Sequence, residues 1–84
     1  MREKVKFISK SLGIIEILND QIKNFQIIEN SNVWNNYHRI MFQSRVNYWK
    51  SEIHHSNHSY KCKHFEIHYN FDKEGFLTIT DIKF

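Results

Sequence analysis

The chain changes character at residue 31, and that break constrains its fold more than any motif does. Before it, apolar residues recur at intervals of three and four: Val5, Ile8, Leu12, Ile15, Leu18, Ile22 and Phe25. Such a stripe predicts one amphipathic helix over residues 3–28, ending in the polar cluster from Glu29 to Asn32. Between residues 31 and 76 there is no Leu and no Ala, while Tyr, Trp, Phe, Val, His and Asn abound. These are poor helix formers, and the aromatics and Val favour strands. Strands are therefore preferred there, although Val33, Tyr37, Ile40, Met41 and Tyr48 also fit helical spacing. Gly13 inside the predicted helix costs about 1 kcal/mol against Ala. An alternative start is a short strand, Lys4–Ser9, in which Val5 and Phe7 alternate with Lys4 and Lys6. Ser9 or Ser11 would then cap a shorter helix.

The expected strands form a meander: Tyr37–Phe42, Val46–His54, Tyr60–Asn70 and Phe76–Phe84. A turn at Gln43–Ser44–Arg45 joins the first two, and a loop over His55–Ser59 precedes the third. Asp72–Lys73–Glu74–Gly75 is the best hairpin signal in the chain, because Gly supplies positive φ. Pairing Phe42 with Val46 and Tyr69 with Leu77 assigns the faces. One face gathers Ile40, Phe42, Val46, Tyr48, Phe65, Ile67, Tyr69, Leu77 and Ile79, and should carry the helix. The other gathers Arg39, Met41, Trp49, Ser51, His64, Glu66, His68, Thr78 and Thr80, open to water or a partner. A slip at the last hairpin would set Phe71 opposite Phe76 instead. The expected fold class is α+β: one long N-terminal helix packed on a four-stranded antiparallel meander sheet, in a single domain of residues 1–84.

Composition narrows the class. A chain of 84 residues, 40% apolar and 25% charged, is globular in type and has room for one small core. No apolar run approaches membrane-spanning length, and none follows the charged start as a secretory leader requires. Cys62 stands alone, so no internal disulfide forms, which suits a cytoplasmic protein. Ile, Lys, Asn, Phe and Tyr supply 41 of the 84 residues, and Pro and Ala are absent. Those are AT-rich codons, as in the short genes of phages and other mobile elements. Residues 31–70 carry five basic and two acidic side chains and all six histidines. That segment grows more positive as pH falls through about 6.5.

Three constellations carry chemistry. On the open face, Trp49 beside Arg39, His64 and His68 suits single-stranded RNA, with bases stacked on the ring and cations on phosphates. Arg45, Lys50, Lys61 and Lys63 add phosphate contacts. The histidines His54, His55, His58, His64 and His68, with Cys62, include a C-x-H-x3-H string, but the spacing matches no zinc-finger pattern. They are taken as solvated strand and loop residues, with no metal and no cofactor expected. Third, His64, Glu66 and His68 share a face near Arg39 and would supply a base, an acid and a phosphate clamp.

With the alternative strand–helix start, followed by the basic antiparallel meander, the layout is similar to that of small RelE/ParE-type toxins, a resemblance of layout that no motif reinforces. It implies metal-independent ribonuclease chemistry. P-loop, G-x-S-x-G, H-E-x-x-H and EF-hand patterns are absent, which argues against nucleotide hydrolysis and metalloprotease work. Ile14, Ile17 and Ile28 lie off the predicted helical stripe, and that extra apolar width suits a homodimer. The function expected from these residues is a small basic binding protein rather than an enzyme. Its partner would be RNA or a nucleic-acid-handling host protein that it inhibits, with no membrane involved.

Overall fold

The first thirty residues do not form one helix. A computed structural model describes residues 3–50 and 57–84. It opens with an antiparallel hairpin, β1 (Lys4–Ser9) and β2 (Gly13–Leu18), paired from Lys4 opposite Leu18 to Ser9 opposite Gly13. The apolar spacing that suggested a helix is two alternating strands read as one. Val5 and Phe7 stand opposite Ile17 and Ile15 on one face, and Lys6 stands opposite Glu16 on the other. The β-branched run Ile14–Ile15–Glu16–Ile17 favours a strand over a helix. Gly13, at φ 76, supplies the left-handed turn that closes the hairpin. The alternative strand Lys4–Ser9 is thus the one observed, but another strand follows it, not a helix.

A 3-10 turn at Asn19–Gln21 leads into α1 (Ile22–Glu29), which buries Phe25 and Ile28. The next element is α2 (Asn36–Lys50), then β3 (His58–Lys61), β4 (Glu66–Phe71) and β5 (Leu77–Lys83). The architecture is α+β, with a mixed five-stranded sheet in the order β1-β2-β5-β4-β3. β2 and β5 run parallel, and the other neighbours are antiparallel. The expected long helix, the strands Tyr37–Phe42 and Val46–His54, and the four-stranded antiparallel meander are therefore corrected. The stretch expected as strands one and two is α2 as far as Lys50, and residues 51–54 of it lie outside the described residues.

Both helices cover one face of the sheet. The core gathers Ile15, Ile17, Phe25, Ile28, Trp34, Phe42, Tyr60, Phe65, Ile67, Tyr69, Ile79 and Ile82. Trp34 sits between the layers, edge-on to Phe25 and Phe42 and tilted against Phe65. Of the three residues whose apolar width suggested a homodimer, Ile17 and Ile28 are fully buried inside the fold, while Ile14 is 66% exposed.

The last hairpin is the best-anticipated part. Phe65, Ile67 and Tyr69 are buried on one face, as alternation requires, and Glu66 and His68 lie on the other. The register differs by two residues: Tyr69 pairs with Ile79 and Phe71 with Leu77. The Asp72 carboxylate explains this, accepting from the backbone N–H groups of Glu74 (2.9 Å) and Phe76 (2.8 Å). The turn is therefore centred on Glu74, one residue later than expected. The ladder shifts at His68/Tyr69, where Asp81 faces His68 and Ile79 faces Tyr69, leaving Thr80 as the extra residue of a bulge. That bulge lets Ile79 and Ile82 both reach the core despite their spacing of three.

Candidate interaction face

Helix α2 forms against its propensities, because it is capped at its start and packed along one side. The Asn35 side-chain oxygen accepts from the His38 backbone N–H (3.2 Å), and its carbonyl from that of Arg39 (3.0 Å), which is N-cap geometry. His38, Phe42, Val46 and Trp49 turn toward the sheet. The Nδ1 atom of His38 meets the Tyr60 hydroxyl at 3.0 Å. Phe42, fully buried, packs edge-on to Tyr60 and Tyr69. Trp49 stacks on His58 at 4.7 Å between ring centres, and His58 in turn touches Tyr69 and Phe71. Burial raises the phenol pKa of both Tyr60 and Tyr69 above the ordinary 10.0.

The opposite side of α2 faces outward and is apolar as well. Tyr37 (66% exposed), Ile40 (57%), Met41 (37%) and Tyr48 (62%) follow one helical stripe, at i, i+3, i+4 and i+11. Exposed Ser44 and Arg45 fill the same stripe at i+7 and i+8. A shallow hollow of about 300 Å³ lies among Ser44, Arg45, Tyr48 and Trp49. From Asn30 to Lys50 the chain carries no carboxylate, while Arg39, Arg45 and Lys50 are all on α2.

The sites expected from the sequence divide accordingly. Arg39, Arg45, Trp49 and Lys50 come together on α2, but as helix residues on the covered side of the sheet. Lys61, Lys63, His64 and His68 lie elsewhere. The predicted open face uniting Trp49 with His64 and His68 does not exist. Trp49 is half-buried on the helical layer, and His68 is on the far face of the sheet. Ile40 and Tyr48, assigned inward from strand alternation, point outward. Met41, assigned to the open strand face, is also exposed, but on the helix. Ser51, His54 and His55 lie outside the described residues.

The far face holds the proposed catalytic residues differently than expected. The Nε2 atom of His68 meets Glu66 Oε2 at 2.8 Å, and Lys61 Nζ lies 3.9 Å from Glu66 Oε1. The His68 hydrogen bond holds the Glu66 carboxyl below its usual 4.5 against an opposing effect of burial, and the Lys61 charge adds less to the lowering than burial takes away. His64 stands outside the strand, exposed in the turn before β4. Arg39 Nη2 donates to Asn36 Oδ1 (3.0 Å) on α2. The sheet separates Arg39 from Glu66 and His68, so the phosphate clamp expected of it is not formed. What remains is a hydrogen-bonded carboxylate–imidazole pair among lysines. Cys62 is half-buried before the same turn, and no three His, Cys, Asp or Glu residues cluster among the described residues.

The outward stripe was visible in the sequence as the helical spacing of Tyr37, Ile40, Met41 and Tyr48. What hid it was the strand preference of residues 31–76, which set the helical reading aside. Among the described residues no helix is long and apolar enough to cross a membrane. No family model, no curated protein and no solved structure matches the chain.

Proposed function

We propose that the protein is a binding module whose outward α2 stripe docks into an apolar groove edged with carboxylates on a protein partner. The observation that carries this is one helix side that is apolar, exposed and free of negative charge. Tyr, Met and Arg are the residues that protein interfaces concentrate, while Asp and Glu are depleted there. Anchors at i, i+3/i+4 and i+11 are how a helix reads a groove. Arg45, standing between Met41 and Tyr48, pairs with a carboxylate on the groove's rim. A second copy is a poor occupant. A two-fold pairing of α2 with itself would bring Arg39, Arg45 and Lys50 together with no carboxylate on the helix to meet them.

Such a protein works by occupying a surface, as an adaptor or an inhibitor does. An inhibitor from a phage or mobile element remains the reading its AT-rich composition favours, and gene context tests that part. Photo-crosslinking tests the interface itself. A benzophenone side chain at position 41 should give a discrete adduct in the source cell, abolished by Arg45→Glu. The same probe at position 63 should give none. Equal adducts from both positions would overturn the proposal.

Single-stranded RNA is the second reading, favoured by the cations Arg39, Arg45 and Lys50 beside exposed Tyr37 and Tyr48. It predicts an affinity for short RNA that falls steeply between about 50 and about 200 mM salt. It also predicts that Tyr48→Ala weakens this affinity by the worth of one stacked base, about 1–3 kcal/mol. Binding of that kind, with no protein adduct, would replace the first reading. RNA cleavage in EDTA that is lost with His64→Ala would instead support the toxin-like reading.

A further inference from the structure

We propose that the cleft between the C-terminal half of α2 and the sheet binds a monocarboxylate with a flexible apolar tail. The site is separate from the outward stripe, and the proposal does not rest on the docking function above. The cleft has a volume of about 410 Å³, within the range of small-molecule sites. Its sheet side is apolar: Ile15, Phe71 and Leu77, with Leu12 from the β1–β2 turn. Ile14 (66% exposed) and Phe76 (46%) stand at the mouth, more open than large apolar residues ordinarily are. The helix side adds apolar Val46 and, among the described residues, contributes every polar side chain in the lining, namely Gln43, Asn47 and Lys50.

The polar groups specify the head. Gln43 Nε2 is already engaged, donating to the Ser11 carbonyl (3.2 Å) and tying α2 to the hairpin. The side chains of Asn47 and Lys50 have no partner among the described residues. Among the described residues Lys50 is the one charged residue in the lining, so that lining offers one positive charge and one spare amide. Gly75, at φ 85, lies beside the lysine stem, and a Cβ there would stand 3.6 Å from Lys50 Cε. The turn thus passes near the end of the lysine stem.

A single negative charge matches this head site. Lys50 ends α2, where the negative end of the helix dipole opposes any anion, and a dianion such as a phosphate monoester about twice as strongly as a carboxylate, so the lysine charge must outweigh it. A carboxylate meets the Lys50 ammonium and accepts from the Asn47 amide. Its tail then lies over Ile15, Phe71 and Leu77, which removes partly exposed apolar surface of the cleft from water.

Decanoate below its micelle concentration is the probe, followed by calorimetry and by amide chemical shifts in the whole chain. The expected result is saturable one-to-one binding, with shifts at Leu12, Ile14 and Leu77. Lys50→Glu should weaken it at least about tenfold, the loss of one charge-assisted contact. Asn47→Trp, on the exposed rim, should block the cleft, while Tyr48→Glu on the outward stripe should leave binding unchanged. Decyltrimethylammonium should bind the parent protein far more weakly than decanoate. Equal binding of the two surfactants, an unaltered affinity in Lys50→Glu, or no saturation would each overturn the proposal. The photo-crosslinking result at position 41 bears on none of these outcomes, so the two proposals fail separately.

Discussion

At the scale of residues, the tryptophan given a role from the sequence, Trp49, is not the one that organises the core. Trp49 was expected on an open face and is half-buried against His58. Trp34 seals the core, and its Nε1 donates to Ser11 Oγ at 2.9 Å. Ser11 Oγ donates its own hydrogen bond to Glu29 Oε2 (2.6 Å), which also accepts from Ser9 Oγ (2.7 Å) and the Ser11 backbone N–H (3.1 Å). One hydroxyl therefore links the β1–β2 turn, the end of α1 and the central indole. Ser11→Ala would leave a buried indole N–H without its acceptor and remove one donor from Glu29. The expected loss is about 1–3 kcal/mol by urea denaturation. Lys10→Ala, which removes only an exposed 3.4 Å contact to Asn30, should change stability by less than about 0.5 kcal/mol. Spacing does not display this network, because Ser11 and Trp34 are 23 residues apart.

At the scale of elements, α2 shows why a low-propensity segment can still be helical. Its stability comes from a cap and one packed side, so both should be measurable apart from its outward side. Asn35→Ala removes the capping oxygen, at a cost of about 1 kcal/mol. Phe42→Ala opens the core beneath the helix, at about 3–5 kcal/mol. Tyr48→Glu, on the exposed stripe, should stay within about 0.5 kcal/mol. Thermal unfolding of the three variants distinguishes a helix with one structural side from one whose apolar residues all stabilise the fold. The helical spacing of residues 37–48 was legible, but propensity argued the other way and tertiary packing overrode it. The β1–β2 hairpin failed differently. Two alternating strands joined by a short turn produced apolar spacings of three and four. Gly13 was the clue that a turn intervened.

At the scale of the whole molecule, β5 at the end of the chain sits between β2 and β4, and completes the sheet that the first hairpin began. On the far face, Glu66 lies opposite Lys61 in β3 and Lys83 in β5, so it draws three strands together electrostatically. Its carboxyl pKa is lowered on folding, so its ionised form stabilises the fold above the ordinary 4.5. That contribution is lost as pH falls through the lowered value. The expected outcome is that Glu66→Gln is less stable than the parent near pH 6. The two should converge once pH falls below the lowered value, as read from urea midpoints at each pH, and high salt should narrow the gap. A gap that widens on acidification would refute the assignment.

Local chemistry already wrote some of this protein into its residues. Asp72 and Gly75 mark the last turn, and alternation from Phe65 to Tyr69 assigns the buried side of β4. Those features depend on near neighbours, and near neighbours are what a sequence displays. Long-range packing settled the remainder: that β2 pairs in parallel with a strand some sixty residues later, that 36–50 coils, and that Arg45 and Tyr48 share an outward helix side. Each depends on which apolar surfaces meet in three dimensions, and their burial energy outweighs the modest local preferences that pointed elsewhere.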